Sequence, residues 1–252
     1  MLLRRSPLQA PLLLAHRGEC SRACENTLEA FEAALLAGAD GIELDVRRAG
    51  SGEAIVLHDA DLRRVHGSPR RAAELSLERL REHRLGPGRA RIPRLEEALE
   101  LVLDHGACVN VELKDTPEDR AGLVEAVRVA IERLGAAEHV WFSSFHPQLL
   151  IRARLACPQI PRALLFDAAH TGPLRARALL AAARMGLLPL EGVHPHHPLC
   201  DPRFMRAQRR RGAFVIAWTV NDPAIARRLY AAGVDGLITD DIPSIRRAIT
   251  LR

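Results

Sequence analysis

The sequence of 252 residues has no long apolar run, few cysteines and a single lysine. No stretch of about 18 apolar residues occurs, so we expect no transmembrane helix. Pro7, Gln9 and Pro11 interrupt the apolar residues near the N-terminus, which argues against a signal peptide. The five cysteines are irregularly spaced, which favours free thiols in a reducing compartment over a disulfide framework. Together these absences predict a cytoplasmic protein without a stable membrane anchor.

Arginine replaces lysine almost completely. Of the 36 basic residues only Lys114 is a lysine, so this position is expected to need a compact ammonium group rather than a planar guanidinium. The net charge of +5 is spread thinly, with one dense basic stretch from Arg203 to Arg211. We interpret that stretch as the solvated face of a helix and expect no nucleic acid as a partner. DNA binding by this helix is the weaker alternative, and it would depend strongly on salt.

Short apolar runs alternate with longer amphipathic segments along the chain. This alternation is typical of repeated β/α units, in which parallel strands are buried on both faces. Glycines at the ends of the amphipathic segments and prolines at their starts support their assignment as helices. The predicted strands are 12–15, 40–46, 108–113, 139–143, 161–166, 190–194, 213–219 and 235–239. The predicted helices are 25–37, 94–105, 118–134, 146–156, 173–185, 202–211, 222–232 and 242–250.

Eight strand–helix units are the number that closes a (β/α)8 TIM barrel, and the chain length is close to the usual size of that fold. A doubly wound open sheet is the structural alternative. An extra strand at 54–57 follows the turn 49–52, which predicts a hairpin on the second strand. Residues 59–92 then form a short insertion over the C-terminal face of the barrel, with a helix at 74–83. We therefore predict an α/β protein with one domain, residues 1–252.

Acidic residues close two of the predicted strands. Glu43 and Asp45 alternate by two in the second strand, so both carboxylates point to the same side. Glu112 lies at the end of the third strand, and in a barrel such strand ends meet at one rim. Separate surface carboxylates are the alternative, but acidic residues are unusual in apolar strands. Three clustered carboxylates repel one another, and their oxygen ligands select Mg²⁺ or Ca²⁺, so we predict one divalent cation here.

Two histidines are expected beside these carboxylates. His16 ends the first strand, and His58 lies where the extra strand returns to the rim. Histidine titrates near neutral pH, so one ring can accept a proton while the other donates one. His194, His196 and His197 could suggest a second metal, but we interpret them as loop residues because prolines interrupt them.

Ordered motifs from residue 12 to residue 241 resemble the glycerophosphodiester phosphodiesterase family. No single motif would suffice, but their number and their order make the resemblance specific. The motifs are AHRG at 15–18, ENTLEAFEAALLAGADGIELDV at 25–46, VLHD at 56–59, IPRLEEALE at 92–100, VNVELK at 109–114, SSFHPQLL at 143–150, WTVND at 218–222 and GVDGLITDD at 233–241.

The resemblance implies a (β/α)8 barrel and the hydrolysis of glycerophosphodiesters to glycerol 3-phosphate and an alcohol. It implies that Glu43, Asp45 and Glu112 bind the divalent cation. It also implies that His16 and His58 are the general acid and base. The expected partner is therefore a small-molecule diester, while the sequence does not indicate the oligomeric state.

The resemblance assigns four further residues around the reacting phosphate. Arg17 and Lys114 would hold phosphate oxygens, a role that suits charge-assisted hydrogen bonds. Asn26 would help to order the site, and Trp218 would line the pocket wall. A helix-capping role for Asn26 is a compatible interpretation of the sequence Glu-Asn-Thr at 25–27.

The insertion departs from the family pattern. Where family members often carry a threonine-rich stretch, this chain has Arg63-Arg64-Val65-His66-Gly67. The head-group preference therefore stays open, and a lysophospholipase D-type enzyme acting on phospholipids is the alternative with the same site. A non-catalytic binding barrel is the alternative of a different class. It predicts missing site residues, whereas all of the expected ones are present.

Overall fold

The structure is a computed structural model that describes residues 11–86, 90–114, 116–120, 122–167 and 190–250. Eight parallel strands close into a barrel, because the first strand pairs with both the second and the last. The barrel strands are β1 (Leu12–His16), β2 (Gly41–Arg48), β4 (Cys108–Leu113), β5 (Val140–Ser144), β6 (Arg162–Phe166), β7 (Gly192–Pro195), β8 (Phe214–Ala217) and β9 (Gly236–Thr239). The predicted (β/α)8 TIM barrel is confirmed.

The hairpin on the second strand is also present. β3 (Ala54–Val56) runs antiparallel to the end of β2, with Val46 opposite Val56 and Arg48 opposite Ala54. The hairpin brings the chain back to the C-terminal rim of the barrel, where the insertion begins. It therefore delivers His58 to the same rim as the ends of β2 and β4.

Helices cover the outside of the barrel, except for the two short helices of the insertion, and several begin and end at the signals that the sequence carries. Asp201 and Asp222 accept hydrogen bonds from the first amides of their helices, and Gly135, Gly212 and Gly233 end helices in the left-handed conformation. The helices are α1 (Leu28–Leu36), α2 (Arg63–His66), α3 (Leu77–Glu82), α4 (Leu95–Asp104), α5 (Pro117–Arg120), α6 (Leu123–Leu134), α7 (Pro147–Ala156), α8 (Pro202–Arg211), α9 (Pro223–Ala232) and α10 (Ile242–Thr250).

Three predicted helices differ from those observed. The helix expected at 25–37 begins at Leu28, because Thr27 is its N-cap and accepts a hydrogen bond from the Ala30 amide. The capping role predicted for Asn26 is therefore wrong. The helix expected at 118–134 is divided into α5 and α6 at Gly122, whose φ of +130° breaks the helix.

The third difference lies in the insertion, where the helix expected at 74–83 spans only Leu77–Glu82 and follows a 3₁₀ turn at Ala72–Glu74. Ser76 caps α3 by accepting a hydrogen bond from the Arg79 amide, so the helix cannot begin earlier. The helix predicted at 173–185 lies outside the described residues.

The barrel interior is apolar at its lower end and polar at its rim. Alternate residues of each strand point inward, and the buried apolar ones form one cluster: Leu12, Leu14, Cys108, Trp141, Ala163, Phe214, Ile216 and Ile238. The residues that continue the same alternation upward are His16 on β1, Glu43 and Asp45 on β2, and Glu112 on β4. The packed lower layer thus supports a polar rim from below.

The insertion has a small hydrophobic core of its own. Leu57, Leu62, Leu80, Leu85 and Ile92 are buried there against the outer side of the hairpin. This core gives the insertion a defined conformation although it contains little regular secondary structure.

The described helices include none that is long and apolar enough to cross a membrane. The thiols of Cys20, Cys24, Cys108, Cys157 and Cys200 are free, as the irregular spacing of the cysteines predicted.

Close packing of β2 against β4 makes a specific prediction about Gly41. A Cβ atom at this position would lie 2.3 Å from the carbonyl oxygen of Cys108, an atom of the barrel backbone that cannot move aside. We expect Gly41→Ala to lower the free energy of unfolding by about 3 kcal/mol, at the upper end of the cost of overpacking. Urea unfolding of the two proteins measures the difference.

Gly106→Ala is the matched control. Gly106 has a φ of +61°, but a Cβ atom there would meet nothing within 4 Å. It should therefore cost only about 1 kcal/mol of backbone strain. Equal losses for the two variants would contradict the packing argument.

Candidate active site

The strand ends bring three carboxylates together at the C-terminal rim. Glu43 lies opposite His16 in the β1–β2 register, and Asp45 lies opposite Glu112 in the β2–β4 register. Glu43, Asp45 and Glu112 are all buried, and each has an oxygen within 4.8 Å of those of the other two. Among the described residues these three are the group with the geometry of a metal site.

Burial and mutual repulsion shape the protonation of this cluster. Burial, with the neighbouring charge of Asp45, raises the pKa of Glu43 to about 8. Burial also raises the pKa of Glu112, although the Lys114 ammonium opposes the shift. The pKa of Asp45 is lowered despite its burial, because Lys114 and Arg17 lie beside it. The negative charge is thus concentrated on Asp45 while Glu43 resists ionisation.

Lys114 lies between two of the carboxylates. Its ammonium nitrogen is 2.8 Å from Asp45 Oδ1 and 2.5 Å from Glu112 Oε1. A compact ammonium group can contact both oxygens at once, which agrees with the retention of lysine here in an arginine-rich chain. These two contacts raise the pKa of Lys114 despite its burial, so it stays charged.

The cluster fits a divalent cation. Glu43 Oε2 is buried without a hydrogen-bond partner among the described residues, so one ligand oxygen remains unsatisfied. When all three carboxylates are ionised, the two cations Arg17 and Lys114 compensate two of the three negative charges, which leaves one for a bound cation to neutralise. An all-oxygen donor set of this kind suits Mg²⁺ or Ca²⁺.

Arg17 lies across the cluster in a left-handed backbone conformation. Its φ is +59°, and the Gly18 that follows has a φ of +94°. Its side chain lies 3.1 Å from Asp45 Oδ2 through Nε and 3.1 Å from Glu25 Oε1 through Nη1. Non-glycine residues in the left-handed conformation are uncommon in proteins, and those that occur are often found at functional sites.

Asn26 is the second non-glycine residue with a positive φ, at +56°. Its side-chain amide donates a 2.8 Å hydrogen bond to Asp45 Oδ2, and its side-chain oxygen accepts one from the Asp45 backbone amide. Asn26 therefore fixes both the main chain and the carboxylate of Asp45. This contact explains its burial better than helix capping does.

His16 is held by a carboxylate from the last strand end. Its Nδ1 atom lies 2.7 Å from Asp240 Oδ1, and the side chain of Asn221 donates to the other oxygen of Asp240 at 2.7 Å. Burial lowers the pKa of His16, but the hydrogen bond to Asp240 and the charge of Glu43 outweigh it, so the pKa is raised overall.

His58 is also hydrogen-bonded to a carboxylate, but its pKa shifts in the opposite direction. Its Nδ1 atom lies 2.7 Å from Asp59 Oδ1, and its backbone oxygen accepts a hydrogen bond from Arg47 Nε at 2.8 Å. Burial lowers the pKa of His58, and the positive charges of Lys114 and Arg17 add to this, so the opposing carboxylates do not restore it. The two histidines therefore differ in their tendency to carry a proton.

Trp218 lies at the end of β8 and is half-buried. Its indole nitrogen donates to the backbone oxygen of His194 at 2.8 Å, and its ring centroid lies 5.6 Å from Phe145 and 5.3 Å from His196. This places an aromatic wall at the rim. His194 itself is fully buried in the barrel, where burial lowers the pKa of its ring to about 3, so it is neutral.

All nine residues singled out from the sequence lie at this rim or next to it. The sequence interpretation missed the polar residues that hold them in place, namely Glu25, Asp59, Asn221 and Asp240, together with Arg64 of the insertion. A signal was present, because each of these residues except Arg64 lies within one of the quoted motifs. Composition and spacing alone did not show which neighbour each would contact.

Comparison with known proteins agrees with this geometry. Residues 16–244 match the model of the Glycerophosphoryl diester phosphodiesterase family. A glycerophosphodiester phosphodiesterase of Caldanaerobacter subterraneus is 32% identical, with 91% of this chain and 94% of the relative covered.

Two solved structures share the fold. A phosphodiesterase of Oleispira antarctica in complex with the product sn-glycerol-3-phosphate has a TM-score of 0.82 at 27% identity, covering 96% of this chain and 97% of that one. A glycerophosphodiester phosphodiesterase of Thermotoga maritima has a TM-score of 0.76 at 28% identity, covering 95% and 98%. The chain belongs to the glycerophosphoryl diester phosphodiesterase family.

Proposed function

We propose that the chain hydrolyses glycerophosphodiesters to glycerol 3-phosphate and an alcohol, using one divalent cation and two histidines. The observation that carries the proposal is the buried cluster of Glu43, Asp45 and Glu112 flanked by His16 and His58 at one barrel rim. Family membership supports the reaction class, and a relative of the same fold binds sn-glycerol-3-phosphate.

Glu43, Asp45 and Glu112 would bind the cation, either Mg²⁺ or Ca²⁺. When bound, it supplies Lewis-acid polarisation of a phosphoryl oxygen. Arg17 and Lys114 would then direct their remaining N–H groups at the non-bridging oxygens of the diester, which share its negative charge. Both side chains are already positioned by carboxylates, so little conformational freedom would be lost on binding.

The two histidines would divide the proton transfers between them. His16 has the raised pKa and would act as general acid, protonating the oxygen of the departing alcohol. His58 has the lowered pKa and would act as general base toward the nucleophile. Because Nδ1 of each ring is bonded to a carboxylate, Nε2 would be the atom that exchanges the proton. The nucleophile is either water, which gives glycerol 3-phosphate directly, or the neighbouring glycerol hydroxyl, which gives a cyclic phosphate that water must then open.

Asn26 and Trp218 would support this site without exchanging protons. Asn26 fixes Asp45, and Trp218 would form a wall against which the glycerol or the head group packs. We further propose that residues 1–252 act as a single phosphodiesterase domain and that the protein works in the cytoplasm.

The proposal predicts a metal-dependent release of glycerol 3-phosphate. We expect hydrolysis of glycerophosphocholine and glycerophosphoethanolamine in the presence of Mg²⁺ or Ca²⁺ and its loss with EDTA, because the carboxylate cluster needs a cation. A coupled assay for glycerol 3-phosphate measures it. Turnover only of lysophospholipids would favour the lysophospholipase D-type alternative, and the absence of turnover with any metal would contradict the proposal.

Replacement of each histidine should test the division of roles. His16→Ala and His58→Ala should each lower kcat on glycerophosphocholine by about 10² or more, the usual contribution of acid–base catalysis. On a glycerophosphodiester with p-nitrophenol as the leaving group, His16→Ala should recover most of its activity, because this alcohol leaves without a proton. His58→Ala should not recover. Recovery of His58→Ala instead would reverse the assignment.

Metal binding should depend on pH through Glu43. The pKa of this carboxyl is raised to about 8, so below that pH a proton must be released before Glu43 can act as a ligand. The affinity for Mg²⁺ should fall by about tenfold for each pH unit below 8 and level off above it. Calorimetric titration from pH 6.5 to pH 9 measures this. In Glu43→Gln the slope should disappear, and a slope that remains would assign the proton to another group.

A further inference from the structure

The insertion holds one short helix close to the candidate active site. α2 begins after Leu62, which is fully buried in the hydrophobic core of the insertion, and Val65 packs against the same core. Two main-chain hydrogen bonds, from Leu62 N to Arg70 O and from Ala72 N to Ala60 O, fix the segment on either side. The backbone of Arg64 is therefore well placed although its side chain is partly exposed.

The guanidinium of Arg64 contacts two carboxylates at once. Its Nη1 and Nη2 atoms donate to the two oxygens of Glu25 at 2.6 and 2.8 Å, and its Nε atom donates to Asp59 Oδ2 at 2.6 Å. A bidentate pair of this kind fixes orientation as well as distance. The side chain is 45% exposed, so the contacts matter through their geometry more than through their energy.

Each of these carboxylates also contacts a residue of the candidate active site. The second oxygen of Asp59 is bonded to Nδ1 of His58, and Glu25 Oε1 is bonded to Nη1 of Arg17. Arg17 in turn lies beside Asp45. An alternating chain of charges therefore runs from the general base to the metal ligands, with Arg64 at its centre.

We propose that Arg64 is a positioning residue, through which the insertion aligns His58 and Arg17 for hydrolysis of the phosphodiester. This inference rests on the function proposed above for these two residues. Without the guanidinium, Asp59 and Glu25 would lose the group that holds them in place. The His58 ring and the Arg17 side chain would then adopt other orientations as well.

Position 64 requires the planar guanidinium group of arginine. The three N–H groups that Arg64 uses lie in one rigid plane and point in different directions, and a lysine ammonium cannot reach both carboxylates with that geometry. Arg63, its neighbour in α2, makes no side-chain hydrogen bond or ion pair with the described residues. Arg63 is a matched control, because it carries the same charge as Arg64 and lies in the same exposed helix.

The experiment compares Arg64→Lys with Arg63→Lys on glycerophosphocholine with Mg²⁺. We expect Arg64→Lys to lower kcat by about tenfold, the scale found when partners of ligating or catalytic groups are replaced, with an unchanged melting temperature. Arg63→Lys should match the wild type. A kcat of Arg64→Lys equal to that of Arg63→Lys would overturn the inference, whether or not the melting temperature changes.

Combined substitutions test the route of the effect. If Arg64 acts through Asp59 and Glu25, adding Arg64→Ala to a protein that already carries both Asp59→Ala and Glu25→Ala should lower kcat no further, within about twofold. Losses that multiply would overturn the inference. His58→Ala is measured in the same assay. If His58→Ala is inactive while Arg64→Lys is fully active, this inference alone is overturned. If His58→Ala is active, the proposed function itself is contradicted.

Discussion

Repulsion among three buried carboxylates is the constraint on which the rest of the site depends. Glu43, Asp45 and Glu112 converge because parallel strands end at one rim, and burial removes the water that would screen them. Lys114 and Arg17 compensate part of this charge, while burial and the neighbouring charge of Asp45 still raise the pKa of Glu43. The apolar lower barrel holds the backbone against this repulsion.

The Arg17 side chain and the Asp45 carboxylate must be held in position, and this explains the unusual backbone conformation at the rim. Arg17 and Asn26 both adopt positive φ, a conformation that costs free energy at non-glycine residues. In return, Arg17 reaches Asp45 and Glu25, while Asn26 bonds both the main chain and the side chain of Asp45. The strain is located where orientation of the carboxylates matters most.

The fold and the main site residues follow from the sequence because both depend on short-range patterns. Strand alternation and the common rim suffice to bring Glu43, Asp45 and Glu112 together. Tertiary partners do not follow in this way. Asp240 and Asp241 are adjacent and chemically identical, yet Asp240 holds His16 while Asp241 bonds the Ser244 amide at the start of α10. Alternation from the inward-pointing Ile238 separates the sides on which the two aspartates lie, but it does not show which residue each one contacts.

The opposite pKa shifts of the two histidines have a structural origin in the position of the charges around them. Both rings bond a carboxylate through Nδ1 at 2.7 Å, so this partner alone cannot separate them. His16 faces Glu43, whose ionised form favours the imidazolium, while the Lys114 ammonium near His58 disfavours it. The same lysine that compensates the carboxylate cluster therefore also helps to keep one histidine neutral. A single arrangement of charges thus prepares both the cation site and the acid–base pair.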